Sequence, residues 1–167
     1  MIHVPTPMQT DYALLEQQLD ALIADEDDAL ANAANFVGLL YYGLPDINWL
    51  GIYALRGNAL VLGPFQGRPA CVRIPLGQGV CGAAAQAMQT LRVADVHKFA
   101  GHIACDPASR SEIVVPLMLS GELAGVLDID SPSLDRFTEV DQSGVESLCL
   151  AFVEALERKG ARASAFI

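Results

Sequence analysis

Positive charge is scarce in this chain. Ten Lys and Arg stand against twenty Asp and Glu, a net charge of −10, and that deficit argues against a nucleic-acid backbone or an anionic membrane surface as partner. Long apolar runs are missing too. No stretch approaches membrane-spanning length, and the N-terminus "MIHVPTPMQT" has neither a basic start nor an apolar run, so a soluble, cytoplasmic protein is expected. Metal-ligand spacing is likewise absent. No pair among His97, His102, Cys105, Cys71 and Cys81 falls into a C-x-x-C or H-x₃-H pattern, so a metal site is not expected. Repeats, low-complexity tracts and linkers do not occur, and 167 residues fit one domain with a substantial core. With no leader in view, the four cysteines, at 71, 81, 105 and 149, read as reduced thiols. Any disulfide among them would be transient and functional.

What is present divides into three parts. Thr10 or Asp11 can cap a first helix carrying Leu14, Leu15, Leu19, Leu22 and Ile23 at helical spacing, and the acidic run 25–28 reads as a solvated helix junction. A second helix after Asp27 carries Leu30, Ala33, Ala34, Val37, Leu40 and Tyr41 on one face and ends at "GLPD". "INWLGIYAL", "RGNALVLGPF" and "ACVRIPL" then read as an antiparallel meander with a turn at Arg56-Gly57-Asn58, and "SEIVVPLML" and "LAGVLDIDSP" as a second hairpin. Thr138 or Asp141 starts a terminal helix carrying Val145, Leu148, Phe152 and Leu156. The expectation is an α+β fold in a single domain, 1–167. Its N-terminal helices cover about 11–43, its sheet and active-site region about 47–131, and its C-terminal helix about 138–158.

Several motifs carry possible chemistry. Gly77-Gln78-Gly79-Val80-Cys81-Gly82 matches G-x-G-x-x-G, but it follows antiparallel-looking strands and lacks a βαβ unit, so a dinucleotide site is not expected. Amides at the start of the helix behind it could still receive a small carboxylate. Cys149 lies on an apolar helix stretch and reads as core, and Cys81 and Cys71 each suit compact packing as well. "GVLDID" is more telling. Asp128 and Asp130 are two apart on a strand, so they share a face, repel, and at least one should have a raised pKa. Glu112 opens the partner strand and can reach the same place. The bland alternative is a solvated strand end. Trp49 and Tyr53 also share a strand face, where ordinary core is the default; beside three carboxylates they could instead wall a small-ligand pocket. In "GHIACD", Cys105 sits on a polar loop among His102, Asp106 and Glu112. Filler, ligand and nucleophile all remain open for it on pattern alone.

With these residues assembled, the chain resembles the free methionine-(R)-sulfoxide reductases, enzymes of GAF fold. The resemblance is carried by "NWLGIY", "IPLGQGVCG", "RVADVHKF", "GHIACD", "SEIVVPL" and "GVLDIDSP" in the family's order and spacing. It implies a central antiparallel sheet flanked by N- and C-terminal helices. It implies that Cys105 attacks the sulfoxide sulfur, that Cys71 resolves the sulfenic acid as a Cys71–Cys105 disulfide, and that Cys81 is auxiliary. Glu112, Asp128 and Asp130 match the acidic substrate-binding and catalytic set, and Trp49 and Tyr53 the aromatic wall near the substrate's methyl group. The implied partners are free methionine (R)-sulfoxide, a thioredoxin-type reductant and a second copy in a homodimer, and the implied chemistry needs no metal or organic cofactor. Two other readings compete: a ligand-sensing GAF module without catalysis, and a thiol redox sensor or peroxidase.

Overall fold

Capping residues set where the helices of this computed structural model begin. The structure describes residues 10–103 and 106–162. Asp11 accepts the Leu14 amide at 3.0 Å and opens α1 (Tyr12–Ile23), which buries Leu15, Leu19 and Ile23 at four-residue spacing. Asp28 does the same for α2 (Ala29–Gly43) through the Ala31 amide at 2.8 Å. β1 (Trp49–Arg56) and β2 (Ala59–Gln66) meet across Gly57-Asn58, where Gly57 takes the left-handed φ of 63° that the tight turn needs. β3 (Arg73–Pro75) is followed by α3 (Gly79–Ala87), β4 (Leu91–Val93) and one 3₁₀ turn (Val96–Lys98). β5 (Ser111–Leu119) and β6 (Glu122–Ser131) form a long hairpin about Ser120 and Gly121. Thr138 starts α4 (Glu139–Arg158) with a reciprocal capping box to Asp141.

The six strands form one sheet in the order β3-β2-β1-β6-β5-β4, antiparallel at every pairing. Period-two alternation gives it two apolar faces. Leu50, Ile52, Ile113, Val115, Leu127 and Ile129 point to a core shared with α1, α2 and α4, where Phe36 and Phe152 stack with ring centroids 4.3 Å apart. Trp49, Tyr53, Val114 and Val126 point the other way, toward Val80, Ala84 and Ala85 of α3.

The α+β fold expected from the sequence is the one observed. The terminal helices flank the sheet as expected. They lie together on one face, and α3 covers the other. The meander differs in extent. "ACVRIPL" contributes only three residues of strand, and Cys71 sits in the connection before it. Pro69 and Pro75 bound this run, and proline cannot donate to a ladder.

Candidate functional site

Strand register brings the three carboxylates together. On β6, Asp130 lies opposite Trp49 of β1 on one side and Glu112 of β5 on the other, while Asp128 lies between Gly51 and Val114. Directly opposed residues have Cβ atoms about 4.5–5.5 Å apart, so Glu112 and Asp130 are immediate neighbours and Asp128 is one step along the same face. Gly51 makes room there. A Cβ at that position would meet the Trp49 ring at 2.5 Å and Phe65 Cβ at 2.6 Å. Above the acids, α3 places Cys81 Sγ 3.8 Å from Glu112 Oε1.

These side chains line a cavity between the sheet, α3 and the loop segments 101–103 and 106–109. Glu112, Asp128 and Asp130 form its sheet side, Gly79, Val80 and Cys81 its helix side, and His102, Asp106 and Ser109 its loop side; Tyr53, Ile74 and Ile103 add apolar wall. No Lys or Arg is among the lining residues. Glu112 and Asp128 are buried, and one oxygen of Asp128 has no hydrogen-bond partner. Donor atoms of Cys81, Glu112 and Asp128 all lie within 4.8 Å of one another, a set compact enough to surround one small cation, ammonium or metal. His97 and His102 meet edge to face at 6.3 Å.

Burial without a compensating cation decides the protonation of these groups. It pushes Glu112 well above the usual carboxylate range, reinforced by the neighbouring Asp128 and Asp130. Asp130 is driven up by desolvation and then by Asp128 and Asp106, with the Ser109 hydroxyl bonded to it pulling the other way. Asp128 is pushed up to about 6 by burial, with hydrogen bonds from Cys81 and Glu112 pulling the other way. The Cys81 thiol is raised by burial and by the same acids, so it stays protonated at neutral pH. His102 is lowered by burial and by His97, which keeps it neutral. The cluster therefore keeps its protons above the usual carboxylate range.

Not every residue singled out in the sequence lines the cavity. Tyr53 does, and its hydroxyl donates to the Cys71 carbonyl at 3.0 Å. Trp49 stands behind it, packed between Tyr53 and Phe65 with centroids 5.8 and 5.6 Å away, and its indole N–H donates to the Arg68 carbonyl. Cys71 is held in a disulfide, whereas Cys81 and Cys149 are free thiols. Cys149 is buried in the helical core, and burial raises its thiol. Cys105 lies outside the described residues; Ile103 and Asp106 on either side of it both line the cavity. At the start of α3, Gly79 takes a φ of 60°, and the Gln78 side chain does not cap the helix. The sheet has no parallel pair, so the glycine pattern belongs to no βαβ unit. Ser109 and Asn48 escaped the sequence reading. Asn48 reaches Asp106 and Ser109 across about sixty residues of chain, a separation that leaves no periodic signal.

The GAF-domain family profile matches residues 10–156. The free methionine-R-sulfoxide reductase of Escherichia coli is 55% identical over 137 residues, which cover 82% of this chain and 83% of its own. The fRMsr of Staphylococcus aureus, solved in complex with substrate, is 48% identical and superimposes with a TM-score of 0.86 over 91% of this chain and 99% of that one. The free methionine-R-sulfoxide reductase of Neisseria meningitidis, also solved with its substrate, is 38% identical, with a TM-score of 0.87 over 96% and 99%.

Proposed function

Because the chain belongs to the free methionine-R-sulfoxide reductases, enzymes on a GAF domain, we infer that it reduces free L-methionine (R)-S-oxide to L-methionine with its own thiols. The observation that carries this reading is the buried carboxylate cluster. Among the described residues it has no Lys or Arg counter-ion, its acids hold their protons above the usual carboxylate range, and it lies beside the loop that bears Cys105.

The chemistry uses each part. A thiolate attacks a sulfoxide sulfur productively when the oxygen is protonated as its bond to the substrate sulfur weakens, and a carboxylic acid kept neutral by its surroundings supplies that proton. In the proposed reaction the Cys105 thiol takes up the oxygen as a sulfenic acid and methionine leaves. Cys71 then condenses with the sulfenic acid, releasing water and forming a disulfide, and a thioredoxin-type dithiol reduces that disulfide and is itself oxidised. Cys71 being disulfide-bonded supports its part as the resolving thiol. A carboxylate of the cluster pairs the substrate's ammonium, and the open amides at the start of α3 suit its carboxylate. Tyr53 supplies apolar wall for the methyl group, with Trp49 fixing the Tyr53 ring from behind, and Cys81 is auxiliary. The enzyme acts as a homodimer in the cytoplasm; among the described residues no helix is long and apolar enough to cross a membrane.

The test is a thioredoxin-coupled NADPH assay with separated epimers. The free (R)-sulfoxide should be reduced and the (S) epimer should be inert. N-Acetyl or peptide-bound methionine sulfoxide should be reduced at least tenfold less efficiently, since each buried partner left unpaired costs about 1–3 kcal/mol. Cys105→Ser should abolish turnover, and Cys71→Ser should leave one stoichiometric reduction per chain. A peptide sulfoxide reduced as fast as the free amino acid would overturn this reading of the pocket.

A further inference from the structure

Asn48, just ahead of β1, is tied to the site by three hydrogen bonds. Its backbone amide donates to the Asp130 carbonyl at 3.0 Å, which seats it at the end of β6. Its side-chain Nδ2 donates to Asp106 Oδ2 and to Ser109 Oγ, both at 3.1 Å. The other Asp106 oxygen accepts the Ala108 amide at 2.9 Å, and the Ser109 amide donates to the Asp106 carbonyl at 3.2 Å, which closes the 106–109 turn. Asp106 and Ser109 are both buried, and the Ser109 hydroxyl is bonded to Asp130. One amide nitrogen thus holds both ends of the turn that begins one residue after Cys105. It also sets the hydroxyl at the turn's far end beside a carboxylate of the cavity.

The orientation of that amide is fixed by chemistry. Rotating it by half a turn would bring Oδ1 against the Asp106 carboxylate, placing two acceptors together with no proton between them. In the orientation found, Oδ1 is itself buried and without a partner. An unsatisfied buried oxygen is costly, so the two bonds made by Nδ2 outweigh that loss.

We propose that Asn48 is a positioning residue for the sulfoxide reduction: by donating at once to Asp106 and Ser109 it sets the turn that follows Cys105 against Asp130. This rests on the reductase reading of the site. Asn48 fixes where the turn sits and leaves the charges of Glu112 and Asp128 alone, so its loss falls on the rate of attack more than on substrate affinity.

The experiment compares Asn48→Ala, Asn48→Asp, Asp106→Asn and the swapped double variant Asn48→Asp/Asp106→Asn. Methionine formed in a single turnover of the reduced protein is followed against substrate concentration and pH. Asn48→Asp should slow the saturated rate at least tenfold at pH 8, where carboxylates at 48 and 106 repel. In the swapped variant donor and acceptor change places, and most of the rate should return at every pH. Iodoacetamide labelling of Cys105, located by peptide mass, reads the turn without turnover. It should change at least threefold in Asn48→Asp and revert in the swap. Wild-type kinetics in Asn48→Ala and Asn48→Asp, a swap no better than Asn48→Asp alone, or a loss confined to KM would overturn the proposal. If the unaltered protein reduced no sulfoxide while labelling still followed the 48–106 pair, the reductase reading would fall and the positioning role of Asn48 would stand. If turnover were intact and labelling identical across the variants, the reverse would hold.

Discussion

Asp128 is pulled in opposite directions. Its burial disfavours the charged form, while hydrogen bonds from Cys81 and Glu112 favour it, and the balance leaves it about two units above an ordinary aspartate. Glu112 and Asp130 feel the same desolvation and also the charge of Asp128. The three acids titrate as a group, so their proton belongs to the cluster. Glu112→Gln, Asp128→Asn and Asp130→Asn should each lower kcat/KM. Removing the acid that protonates the sulfoxide oxygen should slow the chemical step by roughly 10²–10⁴-fold, whereas removing one that only pairs the ammonium should mainly raise KM. Single-turnover methionine formation against pH separates the two, and three amides with wild-type rate and KM would reduce the cluster to a passive strand end. These acids could be found in the sequence because a strand repeats every two residues, so Asp128 and Asp130 had to share a face. Asn48 and Ser109 could not. Their partners are set by how a loop folds back, which no local spacing encodes.

Among the elements, the helices were legible at their starts because caps are local chemistry. Asp11, Asp28 and Thr138 each lie where a side-chain oxygen meets an amide three residues on. Thr138 does more than open α4. Its partner Asp141 also accepts from the Tyr12 hydroxyl of α1 at 2.7 Å and from Arg136 at 3.1 Å, so this capping box ties the two terminal helices together. Burial tends to raise Asp141, but the Thr138 amide, the Tyr12 and Thr138 hydroxyls and Arg136 together hold it below the usual aspartate value. Thr138→Ala should cost about 0.5–2 kcal/mol. Thermal unfolding would register a cost near 1 kcal/mol as a fall of about 2–4 °C in Tm, while kcat/KM for the free sulfoxide stays unchanged, since α4 packs on the face away from the cavity. β3 shows where local reading stops. An apolar run resembling a full strand yields three paired residues, because only Ala59–Val61 of β2 lie opposite it.

At the scale of the whole molecule, the sheet's two faces have opposite tasks, and pH acts on them differently. The helical face is mostly hydrocarbon, with Asp141 at its edge. The α3 face buries carboxylates whose folded pKa values lie above their unfolded ones. Above about pH 4 the unfolded chain can ionise these groups while the folded chain still holds protons, so stability falls as pH rises, through about 6 for Asp128 and in the same direction for Glu112 and Asp130. Asp141 has the opposite sign. Its folded pKa is depressed, so its contribution is present above the ordinary aspartate pKa and is lost as pH falls below it. Thermal scans should accordingly show a higher Tm near pH 5 than at pH 8, and Asp128→Asn should flatten that slope. An unchanged slope in the variant would place the proton uptake elsewhere.

The alternation along β6 also governs which changes of chain length the protein can survive. Leu127 and Ile129 face the helices while Asp128 and Asp130 face the cavity. One residue inserted between Ala124 and Asp128 would exchange the two sets, sending carboxylates into hydrocarbon and aliphatic side chains into the cavity. A two-residue insertion would restore the faces but move the acids about 7 Å along the sheet, away from Glu112 and Cys81. Extra residues at Gly57-Asn58 or Ser120-Gly121 shift neither pattern. A library of one- and two-residue insertions, scored first for soluble expression and then for sulfoxide reduction, should tolerate the turns, lose folding with single insertions in β6, and lose activity first with double ones.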